Sequence, residues 1–136
     1  MNLILDCNIV VGALTSRRID TPTRLLLVAA IKGEVFLHVS PALYAEYVDV
    51  CTRPKVLGRT EERRAEIMEM MTTLAALARW HAPDTTAIAA PDPDDQHLWE
   101  LLAALPDATL VTGDAALVRS VAFPGRVKTP RDVLAR

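Results

Sequence analysis

The sequence lacks the markers of disulfide-rich, zinc-stabilised and repetitive proteins. Only two of its 136 residues are cysteines, and no spacing of cysteine and histidine resembles a zinc site. Cys7 and Cys51 each lie in an apolar pattern, so we predict two buried thiols that behave as small hydrophobic residues. There is no internal repeat or low-complexity segment. The fold is therefore expected to depend on an ordinary hydrophobic core.

Long apolar runs and a strong charge of either sign are also missing. The longest apolar stretches, such as residues 25–31, are too short to span a bilayer. No basic leader is present, and an acid at position 6 interrupts the first apolar run, so we expect no signal peptide, no membrane association and a cytoplasmic location. The formal net charge of −2 argues against a surface that coats nucleic acid. A few local arginines could still position a phosphate backbone.

The chain does contain enough apolar residues for one globular domain. Hydrophobic residues make up 51% and charged residues 24% of the sequence, and we assign a single domain to residues 1–136. Strand-like and helix-like segments alternate, which predicts an α/β domain with a parallel sheet. The predicted strands are 3–5, 35–39, 108–112 and 126–128, with a short one near Ile88. The predicted helices are 9–14 capped by Asn8, 22–33, 41–52, 60–80, 93–105, 115–121 and a terminal one from Pro130.

Two acids directly follow apolar strands. Asp6 comes after residues 3–5, and Asp114 comes after the β-rich run 109–112. Because the carboxyl ends of parallel strands share one edge of a sheet, both acids are expected at the ligand crevice there. Each also has a purely structural interpretation, in which Asp6 is a solvated turn acid and Asp114 caps the next helix.

Two further acidic elements lie at helices. Glu46 falls on the border of an apolar helical stripe, whereas Asp49 points nearly opposite to that stripe. A half-buried Glu46 needs a partner, and a salt bridge to a nearby arginine is the structural alternative. In the run 92–95, Asp92 is expected to cap a helix. Asp94 and Asp95 both project toward its apolar face, and periodicity does not choose between them.

Together these acids suggest a metal site. Carboxylates gathered in one cleft repel each other unless a cation neutralises them. Mg²⁺ and Mn²⁺ prefer such oxygen ligands, and they can activate water and stabilise the leaving oxygen of a phosphodiester. Metal-assisted phosphodiester hydrolysis is therefore the chemistry that the pattern favours.

The order of these motifs resembles the PIN-domain family, and especially its branch related to VapC-type toxins. The likeness runs through four motifs, which are Asp6-Cys7-Asn8, Ser40 followed by Glu46, Asp94-Asp95 and Val111-Thr112-Gly113-Asp114. It implies a three-layer α/β/α fold with a mostly parallel sheet of about five strands. It also implies an endoribonuclease that uses Mg²⁺ or Mn²⁺.

Carried over by position, the resemblance assigns roles to individual residues. The implied catalytic and metal-binding acids are Asp6, Glu46, Asp95 and Asp114, with Asp95 preferred to Asp94 because it directly precedes the apolar helix face. The implied supporting polar residues are Asn8, Ser40 and Thr112, which would orient carboxylates and water. Cys7 departs from the family, which usually has threonine at that position.

A toxin-like chain would cut RNA, be neutralised by a small antitoxin protein and form a homodimer. Possible RNA contacts are Arg17, Arg18, Arg53 and Lys55, although a solvated surface explains these residues as well. The alternative is a non-catalytic PIN-like module that binds RNA or protein, and a lower-ranked one uses Asp6 as a phosphoryl acceptor. His97 follows the acid cluster and could tune a metal or phosphate, but a packing or surface position is the favoured interpretation. Trp80 and Trp99 are interpreted as core residues.

Overall fold

Parallel strands form a sheet at the centre of the fold. The computed structural model describes residues 1–16 and 18–135, and its strands are β1 (Asn2–Leu5), β2 (Phe36–Val39), β3 (Arg79–Trp80), β4 (Ala108–Val111) and β5 (Val127–Lys128). Within the described residues they form a five-stranded sheet of order β3-β2-β1-β4-β5. Every neighbouring pair is parallel, which confirms the predicted α/β sheet and makes it all-parallel rather than mostly parallel.

Helices connect and flank these strands. They are α1 (Cys7–Thr15), α2 (Pro22–Ile31), α3 (Pro41–Cys51), α4 (Pro54–Leu57), α5 (Glu61–Leu77), α6 (Gln96–Ala104), α7 (Ala115–Arg119) and α8 (Pro130–Leu134). The predicted cap-and-proline starts are confirmed at Thr21, Ser40 and Thr129, whose side chains each accept a backbone N–H three residues on. In the part of the chain that is described, no helix is long and apolar enough to cross a membrane.

The edge strand β3 is the main difference from the predicted elements. The helix predicted to reach residue 80 ends at Leu77, because Ala78 turns into extended backbone and Arg79–Trp80 then pair with His38 and Val39. The strand predicted near Ile88 does not form. Trp80 is 46% exposed rather than in the core, although its indole N–H donates to the Ala75 carbonyl.

Several other boundaries also shift. Asp6, not Asn8, caps α1, because the helix already begins at Cys7. The helix predicted over 93–105 is a 3₁₀ turn at Pro93–Asp95 followed by α6, which ends at Ala104. The helix predicted to end at residue 121 ends at Arg119, and β5 begins one residue later than predicted.

The central strand β1 lies in the core between β2 and β4. Its Leu3 and Ile4 are fully buried, as are Leu110 in β4 and Trp99 in α6, so the core position predicted for Trp99 is confirmed. Such apolar strands are typical of a parallel sheet covered by helices on both faces. The chain passes from β1 to β2 on one side, whereas β4 lies on the other side of β1. The strand order therefore reverses between β1 and β4.

Candidate active site

The reversal of strand order creates a crevice beyond the carboxyl ends of β1 and β4. Asp6 directly follows β1, and its backbone N–H donates to the Val111 carbonyl of β4 at 3.0 Å. Asp114 follows β4 after Thr112 and Gly113. In open α/β sheets, ligands bind at this kind of topological switch point. The sheet thus places both strand-terminal acids where a ligand is expected.

Asp6 is buried, and hydrogen bonds hold both of its carboxylate oxygens. Oδ1 accepts the backbone N–H of Cys7 at 2.7 Å, which caps α1. Oδ2 accepts the hydroxyl of Thr112 at 2.7 Å, and that hydroxyl oxygen accepts the backbone N–H of Asp114 at 3.0 Å. Thr112 therefore links the two acids that end the neighbouring strands.

Asp114 is half-buried and caps α7. Its Oδ1 accepts the backbone N–H of Ala116 at 2.8 Å, so the capping interpretation of this residue is correct. Within residues 1–16 and 18–135, the cap occupies only one of the two oxygens. A capping role and a role at a ligand site are therefore compatible.

Glu46 has a partner that the sequence did not predict. Its Oε2 lies 2.9 Å from Nε2 of His97, which joins α3 to α6. The expected alternative, a salt bridge to an arginine, is wrong for Glu46, because Arg53 pairs with the exposed Asp49 instead. The packing interpretation of His97 missed this contact, and the only local signal was its position two residues after Asp95.

Asp95 shows that the acids share one electrostatic environment. Its pKa is raised to about 6, first by burial and then by the charges of Asp6, Asp114, Asp92 and Glu46 in that order of importance. Asp94 is exposed, whereas Asp95 is half-buried. Asp95 is therefore the member of this pair whose carboxyl group is affected by the charges of the other acids, and its role as a metal ligand stays a prediction.

The acids do not form a closed cage in this arrangement. Among the described residues, no three acidic, histidine or cysteine side chains lie close enough to hold one metal ion in common. The donors are nevertheless carboxylate oxygens, which Mg²⁺ and Mn²⁺ prefer. The raised pKa of Asp95 reflects burial first and then a like-charge repulsion, which a cation would relieve. The donor atoms of these residues are therefore of the type that a hard divalent cation prefers. For several of the acids to bind one ion together, their carboxylates would have to reorient.

The PIN-domain family model matches residues 2–116 and spans all of these acids. The chain belongs to the PIN domain family. PIN domains are generally nucleases that bind RNA and use divalent metal ions. No curated protein gives a significant match to the chain.

Two of the polar residues predicted to support the acids do not contact them in the described part of this PIN domain. Ser40 is buried, and its hydroxyl accepts the backbone N–H of Leu43 at 3.2 Å to cap α3. Asn8 is exposed in the first turn of α1. Neither side chain hydrogen-bonds to an acid among the described residues, so Thr112 is the only one of the three that contacts a predicted metal-binding acid there.

Cys7, the departure from the family pattern, faces the backbone next to the site. Its Sγ lies 3.7 Å from the Glu46 carbonyl oxygen. The pKa of the thiol is raised to about 12, mainly by burial and to a lesser extent by the charges of Glu46, Cys51 and Asp6. Cys7 therefore remains a neutral thiol at physiological pH, and the predicted burial of both cysteines is confirmed.

Three of the four basic residues predicted to contact RNA lie on the surface of the PIN domain. Arg18 pairs with Asp20 at 3.0 Å, and Arg53 pairs with Asp49 at 2.8 Å. Lys55 is exposed on α4, and Arg17 lies outside the described residues. Exposed ion pairs of this kind contribute at most about 1 kcal/mol, so they leave both arginines available to a phosphate.

Proposed function

We propose that this PIN domain is an endoribonuclease that depends on Mg²⁺ or Mn²⁺ and hydrolyses RNA phosphodiester bonds. The proposal is supported by Asp6 and Asp114, which follow the two strands at the switch point of the sheet, and by the influence of Asp6, Asp114 and Glu46 on Asp95. The charges of the other three acids all act on the carboxyl group of Asp95. A half-buried group of acids opposes a polyanionic substrate unless a cation lies between them.

Each acid has a defined part in the proposed site. Asp6 would supply an oxygen held in place by Thr112 and by the first N–H of α1. Asp95 and Asp114 would face it from the 3₁₀ turn and from the end of β4, and Glu46 would complete the set from α3. A divalent cation bound there would supply an activated water and stabilise the leaving oxygen. Arg17, Arg18, Arg53 and Lys55 are proposed to contact RNA phosphates outside this centre.

A toxin role extends the proposal and depends on the resemblance to VapC-type toxins. The protein would arrest growth when produced alone, and a small antitoxin protein would cover its acids. It would also form a homodimer. Growth arrest that disappears with Asp6→Asn supports the toxin role, and unaffected growth with abundant active protein removes it.

Cleavage of RNA by matched variants tests the nuclease proposal. We expect purified protein to cut single-stranded RNA with Mn²⁺ and to stop when the cation is chelated. Asp6→Asn removes one charge from the site and is expected to lower cleavage by about 100-fold. Asp49→Asn is the matched control, because Asp49 is 68% exposed and pairs with Arg53 on the surface.

Asp49→Asn changes the net charge by the same amount as Asp6→Asn. It therefore separates an effect on the site from an effect of the overall charge of the protein. Equal cleavage by wild type and Asp6→Asn contradicts the assignment. Wild-type protein that binds RNA but leaves it intact with Mn²⁺ present favours the non-catalytic binding module instead.

A further inference from the structure

His97 links Glu46 on α3 to the start of α6, the helix that directly follows Asp95. Its Nε2 lies 2.9 Å from Oε2 of Glu46 on α3, and His97 itself is the second residue of α6, two residues after Asp95. The His97 side chain is only 15% exposed, and that of Glu46 is 36% exposed. We propose that His97 is a positioning residue that fixes the Glu46 carboxylate relative to Asp95, an inference that rests on the proposed nuclease function.

The hydrogen bonds of His97 indicate which nitrogen of its neutral imidazole ring carries the hydrogen atom. A carboxylate only accepts, so Nε2 of His97 must donate to Glu46. Nδ1 of His97 is buried, and it has no hydrogen-bond partner within residues 1–16 and 18–135. A buried N–H without an acceptor is unfavourable, so the hydrogen on Nε2 alone gives the better-satisfied neutral ring. The contact is thus a donated hydrogen bond and does not require a charged imidazole.

The bond leaves part of the Glu46 carboxylate free. His97 engages Oε2, and in the described part of the chain Oε1 receives no hydrogen bond. Without the imidazole, the flexible Glu46 side chain would turn toward solvent and away from the other acids, including Asp95, whose pKa its charge helps to raise. His97 therefore holds one oxygen of Glu46 and leaves the other without a hydrogen bond among the described residues, as an outer hydrogen-bond partner of a metal ligand does.

Neither ring nitrogen of His97 is available to contact a substrate. Nε2 is occupied by Glu46, and Nδ1 is enclosed by protein atoms. His97 therefore acts through Glu46 and not on the substrate itself.

Two substitutions at this position distinguish a hydrogen bond from packing. In His97→Gln the terminal amide can donate near the place of the imidazole Nε2, whereas His97→Leu keeps apolar volume and has no donor. Binding of Mn²⁺ alone to the metal-free protein is measured by calorimetry, together with kcat and KM for RNA cleavage and the thermal unfolding midpoint. We expect His97→Leu to weaken Mn²⁺ binding by about 10- to 100-fold, and His97→Gln to bind close to wild type.

A third variant shows whether the effect passes through Glu46. In a Glu46→Gln background, His97→Leu is expected to cause no further loss of Mn²⁺ affinity, because the carboxylate it positions has gone. If His97→Leu does not fold, His97→Asn replaces it, since its shorter amide cannot reach Glu46.

The outcomes separate this inference from the proposed function. Wild type that binds Mn²⁺ and cleaves RNA, with Leu and Gln variants equally affected or equally unaffected, overturns only the positioning role. An additive loss in the Glu46→Gln background also overturns it. Wild type that neither binds Mn²⁺ nor cleaves RNA overturns the proposed function and this inference together.

Discussion

At the scale of single residues, Thr112 has the largest influence on the arrangement of the acids. Its side chain is fully buried, donates to Asp6 and accepts from the backbone of Asp114. A β-branched side chain has few rotamers, so its hydroxyl is held in one direction. One hydroxyl thus sets the spacing between the two strand-terminal acids.

Replacing Thr112 with valine should remove this link while keeping the side-chain shape. Thr112→Val leaves the buried Asp6 carboxylate with one donor fewer and the Asp114 N–H without its acceptor. We expect the free energy of unfolding to fall by about 1–3 kcal/mol, measured by urea denaturation. Thr109→Val is the control on the same strand, because Thr109 makes no side-chain hydrogen bond among the described residues. Equal losses in the two variants would argue against the link.

His38 is a second residue whose chemistry the sequence did not reveal. It is buried in β2, with Nε2 2.8 Å from the Asn2 side-chain oxygen and Nδ1 2.8 Å from Nε2 of His81. Burial lowers its pKa from the usual 6.5, and His81 and Arg79 lower it further. The folded protein therefore favours neutral His38.

The direction of the pH effect follows from that lowered pKa. Below its usual pKa of 6.5, His38 binds a proton in the unfolded chain before it does so in the folded protein. The free energy of unfolding should therefore decrease as the pH falls through the window between 6.5 and the lower folded pKa. His38→Leu should show a shallower decrease in urea denaturation between about pH 7.5 and pH 5.5. An identical slope in both proteins would contradict this explanation.

At the scale of elements, α3 is attached to the end of β1. The β1–β2 ladder pairs only Asn2 and Leu3 of β1, so the Leu5 carbonyl lies beyond it. The buried hydroxyl of Tyr47 donates to that carbonyl. Tyr47 follows Glu46, and Leu5 precedes Asp6, so this contact also sets the distance between two acids.

Tyr47→Phe should loosen the attachment of α3 to β1. The buried Leu5 carbonyl loses its donor, and we expect the free energy of unfolding to fall by about 1–3 kcal/mol in urea denaturation. Tyr44→Phe gives the comparison, because the Tyr44 hydroxyl donates to the Met71 carbonyl on α5, away from the acids. Both variants should be less stable, but only Tyr47→Phe should also slow RNA cleavage. Unchanged cleavage by Tyr47→Phe would show that this contact does not position the site.

The elements that sequence patterns predicted are those with a local signature. The runs before Asp6 and Asp114 are apolar enough to define strands, and proline after Ser40 defines a helix start. The two-residue strand β3 has no periodicity, and only its pairing with β2 creates it. The His97–Glu46 contact joins residues 51 positions apart, so no local pattern could reveal it.

At the scale of the whole molecule, charge distribution matters more than net charge. The formal charge of −2 is small, yet the acids are concentrated at the switch point of the sheet. RNA carries negative phosphates, so this edge repels it in the absence of a cation. Because the chain is a PIN domain and its acids repel RNA, cation binding is the central property expected of this site.

Calorimetric titration of Mn²⁺ into the metal-free protein tests cation binding most directly. The wild type is compared with variants of two neighbouring acids, Asp94 and Asp95. Wild type should bind Mn²⁺, Asp95→Asn should bind it at least about tenfold more weakly, and Asp94→Asn should bind it like wild type. Asp95 lies among the other acids, whereas Asp94 is exposed. Absence of Mn²⁺ binding by wild type, or a larger loss in Asp94→Asn than in Asp95→Asn, would contradict the account.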